Sequence, residues 1–511
     1  MSGVGGAPVD LRALGRTHLV GVGGVGMSAV AGLLAARGVP TSGCDAKEGP
    51  ALAVLRDAGV AVHVGHAAAH ADDADTLVVT SAVRADHPEL ARARALGRRV
   101  LHRSEALAAL MADRDAVAVA GAHGKTTTSA MVAAALVAAG ADPSFAIGGT
   151  VLAADGPLGG SREGAGPVFV AEADESDGSF LAYAPLVAVV TNVEPDHLDH
   201  YGTREAFEDA FVAFAGRVRD GGLLVACADD PGSAALVART REALATRGAE
   251  VATYGIDEGG AATDGAATDG AATGEPDVAV QPGAARTVDG ARRWPVRLTD
   301  RRDGTVVELL LAVPGVHNAL DAAAAWCALR RVGVAPEAAA AGLGSFRGTG
   351  RRFEDRGSAG GVRVVDDYAH HPTEVAALLR AARAEAGDGR VLALFQPHLF
   401  SRTRTFAEEF GQAFDLADVV VVTDVYAARE APDPTVTGAL VADAVPTPGR
   451  AAFVADRTAA AFAVAAAARP GDLLLTVGAG DVTELAPVVL AALAEGTAAA
   501  DGGTTHGRGT A

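Results

Sequence analysis

The sequence predicts an α/β protein of several domains. At 511 residues the chain is too long for one ordinary hydrophobic core. Short apolar runs typical of buried parallel strands alternate along it with alanine-rich stretches typical of helices. Unusual polar residues follow several of these runs, where each strand ends. Because open parallel sheets bind ligands at that edge, we expect the chemistry in clefts between the domains.

The expected domain boundaries lie near residues 112 and 333. They divide the chain into domains 1–112, 113–333 and 334–498, followed by a flexible tail at 499–511. Residues 259–277 contain a short AATDG repeat, which predicts a disordered insertion. A helix is expected near Met27–Arg37. The strands on which the division rests are His18–Val22, Leu77–Ser81, Val100–His102, Val117–Ala120, Val168–Ala171, Val187–Thr191, Val362–Val365, Val391–Phe395, Val419–Thr423 and Leu473–Val477.

Composition narrows the class of protein. The net charge of −20 argues against nucleic acid or an anionic membrane as a bulk partner. Cys44, Cys227 and Cys327 are far apart and show no disulfide or metal-binding spacing, which favours a reducing compartment. Neither a signal-peptide core nor an uninterrupted apolar run of membrane-spanning length is recognisable. We therefore expect a cytoplasmic protein without a membrane partner.

A glycine-rich loop follows the first predicted strand. Gly21, Gly23 and Gly26 open a helix in the pattern G-x-G-x-x-G, and Asp45 follows downstream. This pattern is typical of a Rossmann-like turn, in which the helix N-terminus faces a pyrophosphate and the acid binds a ribose. NAD and a UDP-sugar both carry these groups, so the loop does not separate them. A tight turn without a ligand is the third interpretation.

A second loop predicts ATP binding. The segment AVAVAGAHGKTTTS reads as strand, loop and helix, and the backbone amides of such a loop can surround phosphate oxygens. Lys125 can reach the β- and γ-phosphates, and a hydroxyl of Thr126 or Thr127 can ligate Mg²⁺. The loop departs from the strict P-loop pattern because Val119 stands where the first glycine is usual.

Acidic residues after the next two strands are candidate partners of the metal. AEADESDGSF offers Glu172, Asp174, Glu175 and Asp177, in the position expected for a Mg²⁺ site downstream of a phosphate loop. A solvated acidic loop is the alternative. TNVEPDHLDHY follows the next strand, but no thiolate or paired-histidine spacing in it supports zinc.

The last third of the chain concentrates basic and imidazole groups. Arg351 and Arg352 are adjacent and can clamp phosphates or carboxylates, although an exposed basic turn would look the same. Two strands are followed by VVDDYAHHPTEV and FQPHLFSRTR. Their histidines, tyrosine and arginines at strand ends are hard to explain as packing.

Together these motifs resemble the Mur ligases. The segments that carry the resemblance are HLVGVGGVGMS, AGAHGKTTT, AEADESDGSF, NVEPDHLDHY, PGVHNALDA, RRFE, DDYAHHPTEV, QPHLFSRT and DVYAARE, in order between about residues 17 and 490. AEADESDGSF and DDYAHHPTEV are highly specific, whereas the glycine loop is weak. The resemblance implies a Rossmann-like N-terminal domain, a central P-loop ATPase-type α/β domain and a Rossmann-like C-terminal domain.

The resemblance also implies a role for each matching residue. The UDP-sugar would be held by Gly23, Gly24, Val25, Gly26, Met27, Ser28, Asp45, Ser81 and Arg103. ATP would be bound by Gly121, Ala122, His123, Gly124, Lys125, Thr126, Thr127, His317, Asn318, Arg351 and Asp367. Mg²⁺ would be ligated by Thr126, Glu172 and His197. The third domain would close over the site with an L-alanine pocket of Tyr368, His370, His371, His398 and Arg402.

The implied reaction joins the lactyl carboxylate of UDP-N-acetylmuramate to the amine of L-alanine. ATP first phosphorylates the carboxylate, with Lys125, Mg²⁺ and Arg351 neutralising charge. The amine then attacks the acyl phosphate, and phosphate and ADP are released. His371 and His398 are both candidates for the base that accepts the amine's proton. The resemblance leaves open a homodimer and a nearby alternative, in which a tripeptide replaces L-alanine.

The chain departs from the family pattern in three ways. Ala122 replaces a frequent threonine. Leu399-Phe400 replaces a frequent Arg-Tyr, so the role of that arginine toward the amino acid falls to Arg402 or Arg404, or is unfilled. No lysine follows Lys125, which excludes the carbamylated lysine of several family members. Two other classes remain for comparison: an NAD-dependent oxidoreductase, which leaves the ATP loop unexplained, and a non-catalytic nucleotide-binding regulator, which leaves the metal and amino-acid residues unexplained.

Overall fold

The computed structural model describes residues 9–196, 198–257, 275–428 and 430–502. Contacts divide the chain into two compact units. The first comprises the chain up to Ala312 together with Asn318–Arg347, and the second comprises Val313–His317 together with the chain from Gly348 onward. The structure is α/β throughout, as predicted.

The first unit begins with a parallel sheet of five strands. Its strands are β1 Thr17–Val20, β2 Thr41–Asp45, β3 Ala61–Val64, β4 Thr76–Val79 and β5 Arg99–His102, in the order β3-β2-β1-β4-β5. Its helices are α1 Val25–Ala36, α2 Pro50–Asp57, α3 Pro88–Ala95 and α4 Arg103–Met111. The strand order turns back at β1, so the loop after β1 lies at the topological switch point where such sheets bind ligands.

The same unit contains a larger mixed sheet. Its strands are β6 Asp115–Ala120, β7 Ser144–Ala153, β8 Gly156–Arg162, β9 Val168–Glu172, β10 Val187–Val190, β11 Leu223–Cys227, β12 Glu250–Ile256, β13 Val278–Pro282, β14 Arg286–Val288, β15 Ala291–Asp300 and β16 Thr305–Leu311. A further strand, β17 Phe346–Thr349, has its first two residues in this unit and its last two in the second unit. The helices here are α5 Lys125–Ala138, α6 Leu198–Tyr201, α7 Arg204–Ala215, α8 Pro231–Ala245, α9 Val316–Arg331 and α10 Pro336–Leu343. The first two residues of α9 belong to the second unit.

The centre of this sheet is parallel and fully buried. Its central order is β13-β12-β11-β10-β6-β9-β7, with antiparallel strands added at both edges. Strands β6 and β10 are almost entirely alanine and valine because helices cover both faces. The alanine-rich helix α5 permits close packing: a Cβ added to Gly342 of α10 would lie 3.0 Å from the Cβ of Ala135.

The second unit is built on one sheet with an antiparallel edge. Its strands are β18 Glu354–Ala359, β19 Val362–Asp367, β20 Val391–Phe395, β21 Val419–Val422, β22 Ala451–Phe453 and β23 Leu473–Val477, in the order β18-β19-β23-β20-β21-β22. The helices are α11 Pro372–Ala386, α12 Phe400–Thr405, α13 Ala407–Phe414, α14 Ala439–Asp443, α15 Arg457–Ala467 and α16 Ala486–Gly502.

Alternate residues of its strands feed two separate cores. In β20, Ala393 and Phe395 pack with helices α11 and α13, whereas Leu392 and Leu394 pack with α15 and α16. This alternation follows from the two-residue period of a strand. A sheet with helices on both faces is the architecture predicted for the C-terminal region.

The predicted strands are all present, and β20 and β23 have the predicted bounds; the others shift at their ends. Three boundary predictions need correction or comment. Asp277 accepts a hydrogen bond from the Thr253 amide at 2.8 Å, so the expected disordered insertion 259–277 extends too far; residues 258–274 lie outside the described residues. Helix α16 reaches Gly502, inside the expected flexible tail 499–511. Helix α10, which we assigned to the third domain, belongs to the first compact unit.

Within the described part of the chain, no helix is both long and apolar enough to cross a bilayer.

The side chain of Arg219 links the end of α4 to the segments that precede β6 and β10. Arg219 donates through Nε to the Ala184 carbonyl at 2.7 Å and through Nη1 to the Arg114 carbonyl at 2.9 Å. Its Nη2 reaches the Met111 and Ala112 carbonyls at the end of α4, at 3.4 and 3.3 Å. A guanidinium satisfies several carbonyls at once because its donors form a rigid fork.

We expect Arg219→Ala to lower the free energy of unfolding by about 2 kcal/mol, since hydrogen bonds from a charged donor are lost and several carbonyls lose their partner. Arg219→Lys should recover only part of this, because an ammonium cannot reach all the carbonyls. Urea unfolding followed by circular dichroism measures both. The control is Arg241→Ala on the exposed surface of α8; equal losses for the two alanine variants would contradict the assignment.

Candidate active site

The first glycine loop connects β1 to α1 and is held from beneath by β2. The amides of Gly21 and Val22 donate to the Cys44 carbonyl at 2.7 and 3.0 Å. The amide of Gly23 donates to Oδ2 of Asp45 at 2.8 Å, and a Cβ at Gly23 would lie 2.7 Å from that oxygen. The loop therefore requires glycine where it approaches Asp45.

This loop borders a cavity of about 750 Å³. Among the residues predicted to hold a UDP-sugar, those that line it are Gly24, Val25, Gly26, Met27, Asp45 and Arg103. Arg103 crosses the start of α1 so closely that a Cβ on Gly26 would overlap its Nη1. Ser28 donates instead to the Val25 carbonyl at 2.9 Å, and Ser81 donates to Oδ2 of Asp177 at 2.5 Å. These two hydroxyls thus have protein partners.

The second loop connects β6 to α5 and encloses the side chain of Lys125. Its Nζ donates to the Gly121 carbonyl at 2.6 Å, to the Ala122 carbonyl at 3.1 Å and to Oε1 of Glu175 at 2.9 Å. Gly121 and Gly124 have φ values of 136° and 83°, in the region that glycine favours. The loop thus turns two carbonyls toward one ammonium.

The charges of Lys125 and Glu175 depend on each other. Glu175 is 1% exposed, and burial raises the pKa of its carboxyl above the usual range although Lys125 opposes this. Burial by itself would lower the pKa of Lys125, but the carboxylates of Glu175, Glu172 and Asp174 raise it overall. We therefore assign a protonated ammonium to Lys125 in this negative surrounding.

Side chains from two further strand ends support the phosphate loop. Asn192, after β10, accepts from the His123 amide at 2.9 Å and donates to the His123 carbonyl at 3.0 Å. The His123 ring lies 3.2 Å from Oε2 of Glu194. Sequence reasoning named Asn192 and Glu194 only as members of an acidic segment. In the structure, Asn192 and Glu194 orient the phosphate loop through these contacts with His123.

Asp321 is a site residue that sequence reasoning missed. It lies buried on α9, accepts from the Thr128 hydroxyl at 2.9 Å, and would be 2.7 Å from a Cβ added to Gly124. It therefore supports both the turn and the first residues of α5. The sequence feature that could have identified Asp321 is its position three residues after Asn318, in the same PGVHNALDA segment. Asn318 is itself buried on α9.

Two of the four predicted metal-binding acids line a second cavity of about 220 Å³. Glu172 and Asp174 line it together with Arg103, and Oε2 of Glu172 accepts from the Gly148 amide at 2.8 Å. Asp174 lies 3.3 Å from Nη2 of Arg103. The predicted ligand His197 lies outside the described residues. Thr126 and Thr127 follow Lys125 in the first turn of α5.

In the second unit, Arg351 is fixed against the end of β19. It donates to the Gly478 carbonyl at 2.6 Å and to Oδ2 of Asp366 at 3.3 Å, and its guanidinium lies 4.8 Å from the centre of the Tyr368 ring. Its φ of 60° is unusual for a residue with a side chain. Burial raises the pKa of Asp367 to about 6, although Arg352 opposes this.

The predicted amino-acid-binding histidines come together in the same unit. The rings of His370 and His398 are 6.1 Å apart, and His398 stacks on Tyr426 at 5.8 Å. His371 is 4% exposed, precedes α11 and contacts Phe406 edge-on at 4.9 Å.

Arg402 is buried on α12, close enough to influence His370. Arg404, in contrast, pairs with Asp433 on the surface. Between the two possible substitutes for the family's missing arginine, the structure therefore favours Arg402. Leu399, at the position of the departure, has φ 71°, a strained conformation for leucine.

His317 precedes Asn318 in the chain but belongs to the second unit. Burial and the nearby Arg352 lower its pKa to about 4. Gly315, with φ 101°, leaves room for the ring, since a Cβ there would lie 2.5 Å from Cε1 of His317. At neutral pH its imidazole is uncharged.

Comparison with known proteins identifies the family. Three family models match in the order of the expected domains: Mur ligase family, catalytic domain, at residues 16–115; Mur ligase middle domain at 119–329; and Mur ligase, glutamate ligase domain, at 351–480. A relative of Kineococcus radiotolerans, described as UDP-N-acetylmuramate–L-alanine ligase, is 61% identical over 97% of this chain and 100% of its own. The chain belongs to the Mur ligase family.

Solved structures agree with this membership. The UDP-N-acetylmuramate–alanine ligase of Thermotoga maritima is 28% identical, with a TM-score of 0.73 over 95% of this chain and 99% of that one. A murein peptide ligase of Psychrobacter arcticus is 24% identical, with a TM-score of 0.65 over 94% and 98%. At that identity the second likeness supports the fold alone. The Mur ligase fold predicted from the sequence is thus confirmed.

The lowered pKa values of His317 and His370 predict a pH dependence of stability. Burial lowers the pKa of His370 to about 3. Because both rings titrate near pH 6.5 when unfolded, the folded state binds fewer protons below that pH. Stability should be complete above pH 6.5 and fall as pH drops through about 4, where His317 titrates in the folded state.

His317→Gln should make this decline shallower by up to about 1.4 kcal/mol per pH unit. Urea midpoints between pH 7.5 and 4 measure it. The control is His200→Gln, which removes an exposed imidazole from the first unit. An unchanged pH slope in His317→Gln would show that the ring is not buried uncharged.

Proposed function

We propose that this Mur ligase uses ATP to join the lactyl carboxylate of UDP-N-acetylmuramate to the amine of L-alanine, forming a precursor of peptidoglycan. The observation that carries the proposal is the 61% identity, over nearly the whole of both chains, with a ligase of that description. The phosphate loop around Lys125 and the histidine group of the second unit supply side chains suited to the two halves of the reaction.

The UDP-sugar is assigned to the cavity beside the first glycine loop. The N-terminus of α1 opens toward it, and helix N-termini stabilise the negative charge of a pyrophosphate. Arg103 supplies the positive side chain. Oδ2 of Asp45 holds the Gly23 amide, and Oδ1 accepts only a long hydrogen bond of 3.4 Å from the Lys47 amide. Oδ1 therefore has acceptor capacity suited to a ribose hydroxyl.

ATP is assigned to the loop Gly121–Thr127. Lys125 is held by two loop carbonyls and Glu175, and a phosphate would offer this ammonium stronger acceptors than the carbonyls. We propose that Nζ turns from the carbonyls to the phosphate while Glu175 keeps the ammonium charged. His317 and Asn318 are proposed as adenine contacts, and Arg351 and Asp367 as further nucleotide contacts.

A magnesium ion fits the donor atoms present. A hydroxyl of Thr126 and a carboxylate oxygen of Glu172 are the hard oxygen ligands that Mg²⁺ prefers, and the Gly148 amide orients the Glu172 carboxylate. When bound, Mg²⁺ would neutralise charge on the phosphates. His197 is proposed as an additional ligand from the resemblance alone.

Different residues are assigned to the two chemical steps, phosphoryl transfer and attack by the amine. Lys125 and Arg351 neutralise the phosphoryl group as it moves to the sugar carboxylate. The amine of L-alanine must lose a proton as it attacks the acyl phosphate, and a neutral imidazole can accept it. Between the two candidates we favour His398, because His371 is almost fully buried at the start of α11.

The rest of the interpretation follows from this reaction. We propose three functional domains with boundaries near 112 and 333, although helix α10 of the third lies in the first compact unit. We also propose a cytoplasmic site of action, which suits three cysteines that are all free and buried. The homodimer remains a prediction. The alternative, a murein-peptide ligase that accepts a tripeptide, differs only in the amine that attacks.

Substrate preference decides between L-alanine and the tripeptide. We expect phosphate release with ATP, UDP-N-acetylmuramate and L-alanine, slower release with glycine or L-serine, and almost none with a tripeptide. A coupled phosphate assay compares kcat/KM across the four amines. Faster turnover with the tripeptide would replace the proposed substrate by the alternative.

Lys125→Ala should abolish alanine-dependent ADP formation while UDP-sugar binding changes little, because Lys125 belongs to the phosphate loop and not to the first cavity. Steady-state kinetics and calorimetric titration of the UDP-sugar measure the two effects. The matched control is Lys47→Ala, the only other lysine in the chain, which is exposed. Activity above a few per cent in Lys125→Ala would refute the loop assignment.

His398→Gln should lower kcat about 10²- to 10⁴-fold, the usual contribution of a positioned base. The loss should shrink at high pH, where more of the amine is deprotonated without help. Tyr426→Phe, which keeps the ring under His398, is the control and should retain most activity. A pH-independent loss equal in both variants would mean that His398 only packs.

A further inference from the structure

The most concentrated group of metal-binding side chains in the described residues lies away from the ATP loop. It lies beside the five-stranded sheet of the first unit and consists of His18 of β1, Cys44 of β2, His70 between β3 and β4, and Glu89 of α3. One ligand atom of each lies within 4.8 Å of all the others. None of the four residues has an assigned role in the ligase reaction, although His18 begins the segment HLVGVGGVGMS.

The carboxylate of Glu89 is the centre of this group. It is 0% exposed and lies 3.2 Å from Nε2 of His18 and 3.1 Å from Nδ1 of His70. Sγ of Cys44 is 3.2 and 3.1 Å from its two oxygens. In a tetrahedral zinc site the ligand atoms are separated by about 3.3–3.7 Å, so small side-chain movements suffice to admit an ion.

We propose that His18, Cys44, His70 and Glu89 bind one zinc-like divalent cation. Two neutral imidazoles, one thiolate and one carboxylate would neutralise the ion, and the proton of the Cys44 thiol would leave to solvent. Mg²⁺ prefers oxygen ligands, so this nitrogen- and sulfur-containing set would select a different metal from the one assigned to Thr126 and Glu172.

Two further observations favour a cation. Nδ1 of His18, the nitrogen directed away from the cluster, is 2.8 Å from Oγ of Ser42, and metal-binding histidines usually have such a partner on the second nitrogen. The single S–H proton of Cys44 also cannot serve both oxygens of Glu89 at once. A thiolate and a carboxylate bound to one cation resolve that conflict.

The charge distribution agrees with the geometry. Burial and the adjacent Glu89 carboxylate raise the pKa of Cys44 far above its usual range. Burial would also raise the pKa of Glu89, but hydrogen bonds from His18, Cys44 and His70 lower it to about 2. The pocket therefore holds a buried negative charge that disfavours a second anion, and a divalent cation would reverse this.

The proposed ion would stabilise the floor of the first glycine loop. The Cys44 carbonyl accepts the amides of Gly21 and Val22, and Asp45 follows it in the chain. Nδ1 of His66 lies 3.2 Å from Sγ of Cys44, and His66 also lines the cavity of about 750 Å³. We assign the ion a structural role: it joins β1, β2, the segment before β4 and helix α3.

Metal analysis of the full-length, tag-free protein tests the site. Protein purified without chelator should contain about one zinc per chain, and Cys44→Ser should lose it. Cys227→Ser, at another buried cysteine, should keep it. Retention of stoichiometric zinc by Cys44→Ser would overturn the proposal, as would its absence from the wild type together with failure of the titration below.

Cobalt titration gives a readout that does not depend on ligase activity. Chelator-treated wild-type protein should bind one Co²⁺ with a thiolate-to-cobalt charge-transfer band, which cobalt at the magnesium site cannot produce because no thiolate is assigned there. The band should be lost in Cys44→Ser and weakened in Glu89→Gln, a nearly isosteric change that tests the site if Cys44→Ser misfolds. His63→Gln, which removes a ring stacked on His70, is the control. No band in the wild type overturns the proposal.

Discussion

The buried ammonium of Lys125 is the interaction on which the phosphate loop depends. Two loop carbonyls and Glu175 surround it, so the backbone must turn inward twice within four residues. Only glycine adopts the necessary φ values cheaply, at Gly121 and Gly124. A guanidinium would be too broad for this enclosure, which explains why lysine persists in a chain whose 43 basic residues are otherwise almost all arginine.

The need to support this loop explains much of the surrounding first unit. Glu175 follows β9, Asn192 follows β10, and the loop itself follows β6, three neighbouring parallel strands. Their carboxyl ends meet at one edge of the sheet, where loop backbone and side chains replace the strand ladder. Asp321 completes the support from α9, immediately beneath Gly124.

Features that directly follow a strand could be predicted from the sequence. Glycine loops, acidic segments and strand-end histidines are local sequence signals, and in the structure they lie after the carboxyl ends of strands, as predicted. Asp321 was missed because its partner Thr128 is 193 positions away, and its own neighbourhood reads as an ordinary helix. The cluster around Glu89 was missed for a similar reason: His18, Cys44, His70 and Glu89 come from four separate elements, and only the sheet's strand order brings them together.

Strand β2 contributes neighbouring residues to two sites, the buried cluster around Glu89 and the first glycine loop. Successive side chains of a strand point to opposite faces, so Cys44 enters the buried cluster while Asp45 reaches the Gly23 amide beside the cavity. Between them, the Cys44 carbonyl holds the amides of Gly21 and Val22. A cation on Cys44 would therefore restrict the glycine loop through main-chain hydrogen bonds without touching the ligand. Restricting a loop before binding lowers the entropy lost on binding. With the proposed cation in place, the buried cluster would therefore favour substrate binding indirectly: it would fix β2, and β2 would fix the loop.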